Sequence, residues 1–380
     1  MKVCIEGQPF VSKRTGIGRY TYCLVREYVR RDPGMEISVF YFNARRNFRE
    51  QDMIKKSPGL RNREIRWIPG FLAYKMWNTF SFPPVEFFTG THDLYHFTNF
   101  TAAPVKRGKI LLTVCDATIK RFPGTMEKTN RLRLERLMER SLHESSAVIA
   151  ISEFTKKEIA SLFQYPEERI FVTHLGIEDN FQKIRESRLL EDIKRKYGIQ
   201  DSFILYAGTL EPRKNISHLI RAYNICAKEI PHHLVLVGRK GWSFEEIEKA
   251  IALSPFRERI HQLGYLPDQD LPAIYSCADL FVFPSLYEGF GFPPLEAMRC
   301  ETPVLSSDRA SLKEVLKDGA FYFNPHQTDE KALAVMIKDI LSDKDECAEK
   351  VREGLQIARS YTWDKTAEKT LEIYKKVMKI

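Results

Sequence analysis

The stretch Ser202–Gly238, SFILYAGTLEPRKNISHLIRAYNICAKEIPHHLVLVG, decides the fold. It runs from a short apolar segment through a polar turn into an amphipathic helix, then into a second apolar segment. Apolar runs this short and unbroken fit strands buried on both faces, and a helix between them makes a βαβ unit of a parallel sheet. The alternation continues towards the C-terminus. FEEIEKAIAL, DLPAIYSCA, PLEAMRC and SLKEVLKDG read as helices between the strands RIHQLGY, LFVFP, PVLSS and AFYFNP. Helices finish the chain.

Towards the N-terminus the same alternation recurs. MKVCIEG reads as a buried strand, followed by the loop QPFVSKRTGIG and a helix marked by Ile17, Tyr20, Leu24 and Tyr28 at helical spacing. EISVFYF, EIRWIPG, HDLYHFTNF and KILLTVCDATI read as further strands. NRLRLERLMERSLHESS is a helix, AVIAIS a strand, and Ser152 is placed to cap the helix of EFTKKEIASLF before the strand RIFVTHLG. Residues from about 180 to 200 are charged, lack a core pattern and read as the connection between two halves. The fold class is therefore α/β, with two doubly wound parallel-sheet domains, 1–180 and 200–362. Ligands of such sheets bind beyond the carboxyl ends of the strands, which points to a cleft between the facing domains.

The 380 residues suffice for two buried cores, and 43% hydrophobic with 29% charged residues is ordinary for a globular chain. The start MKVCIEGQPF lacks the apolar core of a signal peptide, and no apolar run approaches the ~20 residues of a spanning helix. Seven scattered cysteines without a CxxC pair read as reduced thiols of a cytoplasmic protein, neither a disulfide frame nor a zinc site. A net charge of +9 suits an anionic partner. No helix-turn-helix, zinc-finger or RNP pattern accompanies the charge, so no nucleic-acid partner is expected.

Four loops after strands hold candidate chemistry. In TGIGRY, Thr15 to Tyr20, Gly16 and Gly18 open a helix, where backbone N–H groups and the dipole favour an anion. It is no dinucleotide fingerprint, because Thr21 stands where the third glycine belongs; a tight turn remains the other reading. In GTLEPRKN, Gly208 to Asn215, Arg213 and Lys214 lie near a helix N-terminus, where the dipole disfavours cations unless an anion lies between. In PSLYEGFGFPPLEAM, Pro284 to Met298, Pro293 and Pro294 fit a first helical turn, which places Glu296 in that turn. Gly289 and Gly291 leave the amides of this loop open to a phosphate or a sugar hydroxyl, and Glu288 and Glu296 are acceptors for hydroxyls. In TVCDATI, Asp116 ends a strand, as a ligand-facing acid or as a turn former.

Together these loops resemble the retaining family-4 glycosyltransferases, over nearly the whole chain. EGFGFPPLE, Glu288 to Glu296, matches that family's E-x7-E motif, and GTLEPRKN its Arg/Lys loop. TGIGRY, IAISEFTK and YTWDKTAEKTLEIY also stand in their expected places. The bacterial mannosyltransferase-like branch of polysaccharide and O-antigen synthesis is the most similar. The resemblance implies the GT-B fold, with an acceptor-binding N-terminal and a donor-binding C-terminal Rossmann-like domain. It also implies that the helix at about 363–380 packs back onto the N-terminal domain. It carries roles residue by residue. Glu296 binds the donor ribose, and Glu288 lies near the sugar hydroxyls. The amides of Phe290, Gly291 and Phe292 hold sugar and phosphates, with Gly208, Gly16 and Gly18 beside the diphosphate. Arg213 and Lys214 clamp the diphosphate in place of a metal ion, so neither metal nor cofactor is expected. Gly264 and Tyr265, within HQLGYL, hold the base.

The family often has His-Asp where this chain has Cys115-Asp116. A thiol replaces neither the charge nor the hydrogen bond of the histidine, which opens the donor to a 6-deoxy sugar. The implied reaction is a retaining front-face transfer of a hexose from a nucleotide-sugar to a glycan or lipid-linked hydroxyl. Mannose from GDP-mannose leads, and UDP- or dTDP-linked donors are the alternative. Glu288 is then a positioning and electrostatic residue, and not a nucleophile. A sugar-nucleotide epimerase on a similar fold is the rival enzyme, opposed by the pairing of EPRKN with E-x7-E. A basic non-enzymatic adaptor would need neither. The aromatic stretch Ile68 to Phe88 reads as core packing or, with the basic stretches VREYVRR, NARRNFRE and KRTG, as a surface for the inner face of the plasma membrane.

Overall fold

The computed structural model describes residues 1–11, 16–31, 34–44, 60–125, 128–199 and 201–380. Thr15 and most of NARRNFRE and KRTG lie outside the described residues. The chain divides into two compact units. Met1–Pro123, Glu127–Gly176 and Thr362–Ile380 make the first, and Gly124–Met126 with Ile177–Tyr361 the second.

The first unit is built on seven parallel strands: β1 (Lys2–Glu6), β2 (Glu36–Phe42), β3 (Leu60–Ile65), β4 (Leu94–Phe97), β5 (Lys109–Val114), β6 (Ala147–Ala150) and β7 (Ile170–Val172), ordered β3-β2-β1-β4-β5-β6-β7. Val3 pairs with Ile37 on one side and Leu94 on the other, so the apolar run of β1 is enclosed by neighbours. The third strand differs from the expected EIRWIPG. It covers LRNREI and stops at Ile65, because Pro69 instead precedes the helix Gly70–Phe80. As an edge strand it buries only Leu60 and Ile65, so it carries no apolar run.

The stretch Ile68 to Phe88 is part buried and part exposed. Trp77 is buried, donates its indole N–H to Pro83 O at 2.8 Å, and meets Phe42 and Phe88 edge-on at 5.6 and 5.7 Å. Trp67, Phe71, Phe80, Phe82 and Phe87 are each more than half exposed. Ser152 caps the helix Glu153–Phe163 through the amide of Thr155 at 3.0 Å. The last helix, Trp363–Val377, lies in the first unit and buries Trp363, Ile373, Tyr374 and Val377. Its Tyr374 hydroxyl bonds Nδ1 of buried His96 at 2.7 Å, while Thr113 Oγ1 bonds Nε2 at 2.8 Å. Burial pushes the His96 imidazole down to about 3, so it is a neutral structural group.

The second unit holds six parallel strands: β8 (Phe203–Ala207), β9 (His233–Val237), β10 (Ile260–Gly264), β11 (Leu280–Phe283), β12 (Val304–Ser307) and β13 (Phe321–Phe323), ordered β10-β9-β8-β11-β12-β13. Residues about 180 to 200, expected as a bare connection, contain the helix Ser187–Lys196 of this unit. It buries a single residue, Ile193, and is fixed by Lys196 on Asp270 at 2.6 Å. One buried side chain leaves no periodic pattern to read.

Candidate active site

The strand order of the second unit reverses between β8 and β11, and loops beyond such a switch point form a ligand crevice. The two loops there are the Arg/Lys loop and the paired-acid loop. They are joined by their backbones, Leu286 N–H donating to Arg213 O at 2.9 Å. After β8 the chain turns at Gly208 and passes through the 3₁₀ turn Pro212–Lys214 to Asn215, whose φ of 56° redirects it into the helix Ile216–Cys226. Gly208 lies so near the end of β9 that a Cβ on Gly238 would meet Gly208 O at 1.8 Å. Only glycine fits there.

This turn aims Arg213 and Lys214 at Glu288. Lys214 Nζ lies 2.5 Å from Glu288 Oε1, and Arg213 Nη1 3.4 Å from Oε2. Arg213 also donates to Tyr287 O, and to Glu211 Oε1 at 2.6 Å. Burial alone would push the Glu288 carboxyl up. The Lys214 ammonium and Arg213 guanidinium overcome this and hold it below the usual carboxylate range. Burial pulls the Lys214 ammonium down, with Glu288 opposing. The ammonium also stands 5.5 Å from the Phe283 ring. Glu211, Arg213, Lys214 and Glu288 form one balanced cluster of two cations and two anions. Each cation can turn to a phosphate oxygen if its carboxylate turns to a hydroxyl.

Gly291, at φ +100°, precedes the helix Phe292–Arg299, with Pro293 and Pro294 in its first turn. A Cβ there would also come within 2.7 Å of Leu312 Cδ2. The helix starts at Phe292, so Glu296 is its fifth residue and lies in the second turn, one turn later than expected. The dipole at the helix start does not account for this acid. Its carboxylate is buried and accepts from Tyr275 at 2.9 Å. The Phe290 ring packs against Phe292 and Tyr361, each at 5.6 Å. At the end of β10, Gly264 O accepts from Gly238 N–H at 2.8 Å. Tyr265 is half exposed, with the Arg239 guanidinium 4.4 Å over its ring.

In the first unit, Gly16 and Gly18 stand in the first turn of the helix Gly16–Arg30. Asp116 Oδ1 accepts from Thr118 N at 2.8 Å and so forms a local turn. Burial pushes the neighbouring Cys115 thiol up, so it is no thiolate. The first sheet also reverses order between β1 and β4. There stands Glu6, a buried acid that the sequence reading passed over. Tyr74 donates to it, and burial pushes its carboxyl up to about 7. The signal was an acid closing the strand KVCIE. Tyr275, the partner of Glu296, gave no signal at all. All seven cysteines are free thiols.

A family model described as "Glycosyltransferase Family 4" matches residues 14–181, and one described as "Glycosyl transferases group 1" matches residues 191–356. The chain is 32% identical over 284 residues to the O-antigen chain mannosyltransferase B of Escherichia coli, covering 74% of each chain. Among solved structures, sucrose-phosphate synthase from Thermosynechococcus elongatus superposes with a TM-score of 0.76 at 20% identity, over 100% of this chain and 99% of that one. Anabaena HepE, solved with UDP-glucose, does so at 0.73 and 20%, over the full length of both.

Proposed function

Because the chain belongs to the GT-B glycosyltransferases of group 1 and family 4, in their mannosyltransferase-like branch, we propose that it transfers mannose from GDP-mannose to a growing cell-surface glycan or its lipid-linked precursor. The observation that carries this is the cluster of Arg213, Lys214 and Glu288 at the switch point of the second sheet, beside the helix that Gly291 precedes. The second unit holds the donor and the first the acceptor. Arg213 and Lys214 receive the diphosphate and neutralise its charge without a metal ion, while Glu288 turns to the sugar hydroxyls. Glu296, oriented by Tyr275, takes the ribose hydroxyls.

The bond from the anomeric carbon to the diphosphate oxygen breaks as the acceptor oxygen bonds to the same face of that carbon. The acceptor proton passes to the departing phosphate, and the configuration is retained. Arg213→Ala and Glu296→Ala should each lower transfer at least tenfold, about 1.4 kcal/mol in the barrier. Wild-type rates in the purified variants would remove this mechanism. A thermal-shift screen against GDP-, UDP- and dTDP-sugars identifies the donor. The thiol at Cys115 favours one second reading, a donor without a 6-hydroxyl, and the screen includes GDP-6-deoxy sugars for that reason.

The exposed Trp67, Phe71, Phe80, Phe82 and Phe87 support a peripheral place at the cytoplasmic face of the membrane. Exposed Arg66 and Lys75 lie among them, so that apolar insertion and attraction to anionic lipids act together. Among the described residues no helix is long and apolar enough to cross a membrane. Trp67→Ser with Phe71→Ser should lower co-sedimentation with anionic liposomes at low salt several-fold. Equal recovery of wild type and variant in the supernatant would discard the contact.

A further inference from the structure

A polar cavity of the second unit, about 310 Å³, lies at the C-terminal end of the helix Phe292–Arg299. Lys183, Arg185, Arg299 and Arg359 line it, with Glu301 as the acid among its lining residues. One pairing uses up part of this charge. Arg185 Nη2 reaches both carboxylate oxygens of Glu301, at 2.8 and 3.1 Å. The other contacts leave charge unspent. Lys183 Nζ donates to a neutral carbonyl, Ser276 O, at 2.9 Å, and Arg299 Nε to Phe181 O at 3.2 Å. Asp179 stands 3.9 Å from Arg299, with its carboxylate almost wholly in solvent, where such a pair is weak. Arg359 is exposed.

Cations at helix C-termini have an ordinary explanation in the helix dipole. Two helices, Phe292–Arg299 and Lys344–Ser360, end beside this cavity. Each contributes roughly half a negative charge, about one unit together. With Glu301 that offsets about two of the four cations, and the pocket retains a clear positive excess. A phosphate monoester carries about −1.5 to −2 at neutral pH and matches that excess. Guanidinium forks suit its oxygens, and the volume admits a small phosphorylated molecule.

We propose that this cavity binds a phosphate monoester, separately from the donor site. All of its lining residues belong to the second unit.

Titration calorimetry on the full-length Lys214→Ala protein, in which the proposed donor clamp is disabled, tests the site with glycerol 3-phosphate. Phosphatidylcholine vesicles with and without phosphatidic acid form a second arm. Arg185→Gln with Arg359→Gln changes two exposed side chains and should preserve the fold, checked by an unchanged Tm. Saturable binding of glycerol 3-phosphate that this double variant weakens at least tenfold is the expected result. Binding only to phosphatidic acid vesicles, lost in the double variant, would assign the same pocket to a lipid headgroup. Absence of binding in both arms, or binding that the double variant leaves intact, overturns the site. Nucleotide-sugar binding by the protein with Lys214 intact, followed in parallel, reports on the donor reading independently.

Discussion

Glu6 closes a strand whose other buried residues are apolar, and its carboxyl titrates near 7 because burial disfavours the charged form. The sign follows from linkage. The folded state holds this proton more tightly than the unfolded chain, whose carboxyl titrates near 4.5. Stability is therefore lost as pH rises from about 4.5 to about 7, and the full penalty persists above. Glu6→Gln keeps the shape and cannot ionise, so it should be the more stable protein at about pH 8, by up to ~3 kcal/mol, with little difference near pH 4. Urea denaturation at both pH values checks this; a gap independent of pH would contradict it. Residues of this kind separate what the sequence revealed from what it hid. Arg213, Lys214, Glu288 and Gly291 stand in loops whose glycines, prolines and charges mark them locally. Glu6 depends on Tyr74, 68 residues away, and Glu296 on Tyr275, 21 residues away, so their environments exist only after folding.

At the scale of elements, burial on both faces decided legibility. The strands β8, β9 and β11 read as apolar runs because helices cover both sides of their sheet. The edge strand β3 alternates exposed and half-buried polar residues between Leu60 and Ile65, and EIRWIPG, of which only Glu64 and Ile65 belong to it, has the more strand-like pattern. The helix Ser187–Lys196 was invisible for the same reason, with one buried side chain. The last helix was placed by resemblance, and its docking has a definite chemistry. Tyr374 supplies the partner of His96 Nδ1, in a site with no exposure to water. Tyr374→Phe leaves the ring packing intact and orphans that nitrogen, which should cost about 1–3 kcal/mol. The urea midpoint should fall without a change in m; an unchanged midpoint would mean that Thr113 alone satisfies the imidazole.

For the whole molecule, the division into units is unequal in sequence. Nearly all of the second is the single segment Ile177–Tyr361, whereas the first needs Thr362–Ile380 to cover Tyr20 and Tyr28. Trp363 lies 6.4 Å from Tyr20 and Tyr374 6.3 Å from Tyr28, ring centre to ring centre. Without the last helix those buried aromatic faces would meet water, at roughly 25 cal/mol for each Å² uncovered. A fragment spanning 177–361 retains all six strands of its sheet and the Arg213–Lys214–Glu288 cluster. It should therefore fold alone, with cooperative melting and dispersed amide signals, and bind the nucleoside diphosphate of the donor. A fragment spanning 1–176 should aggregate or melt without cooperativity, and adding a peptide of 362–380 should restore a transition. If instead 1–176 folds unaided, the terminal helix is dispensable to the first core. If 177–361 folds but binds no nucleotide, the residues that hold the donor are not confined to the second unit. The two outcomes separate the stability of each core from the location of the site.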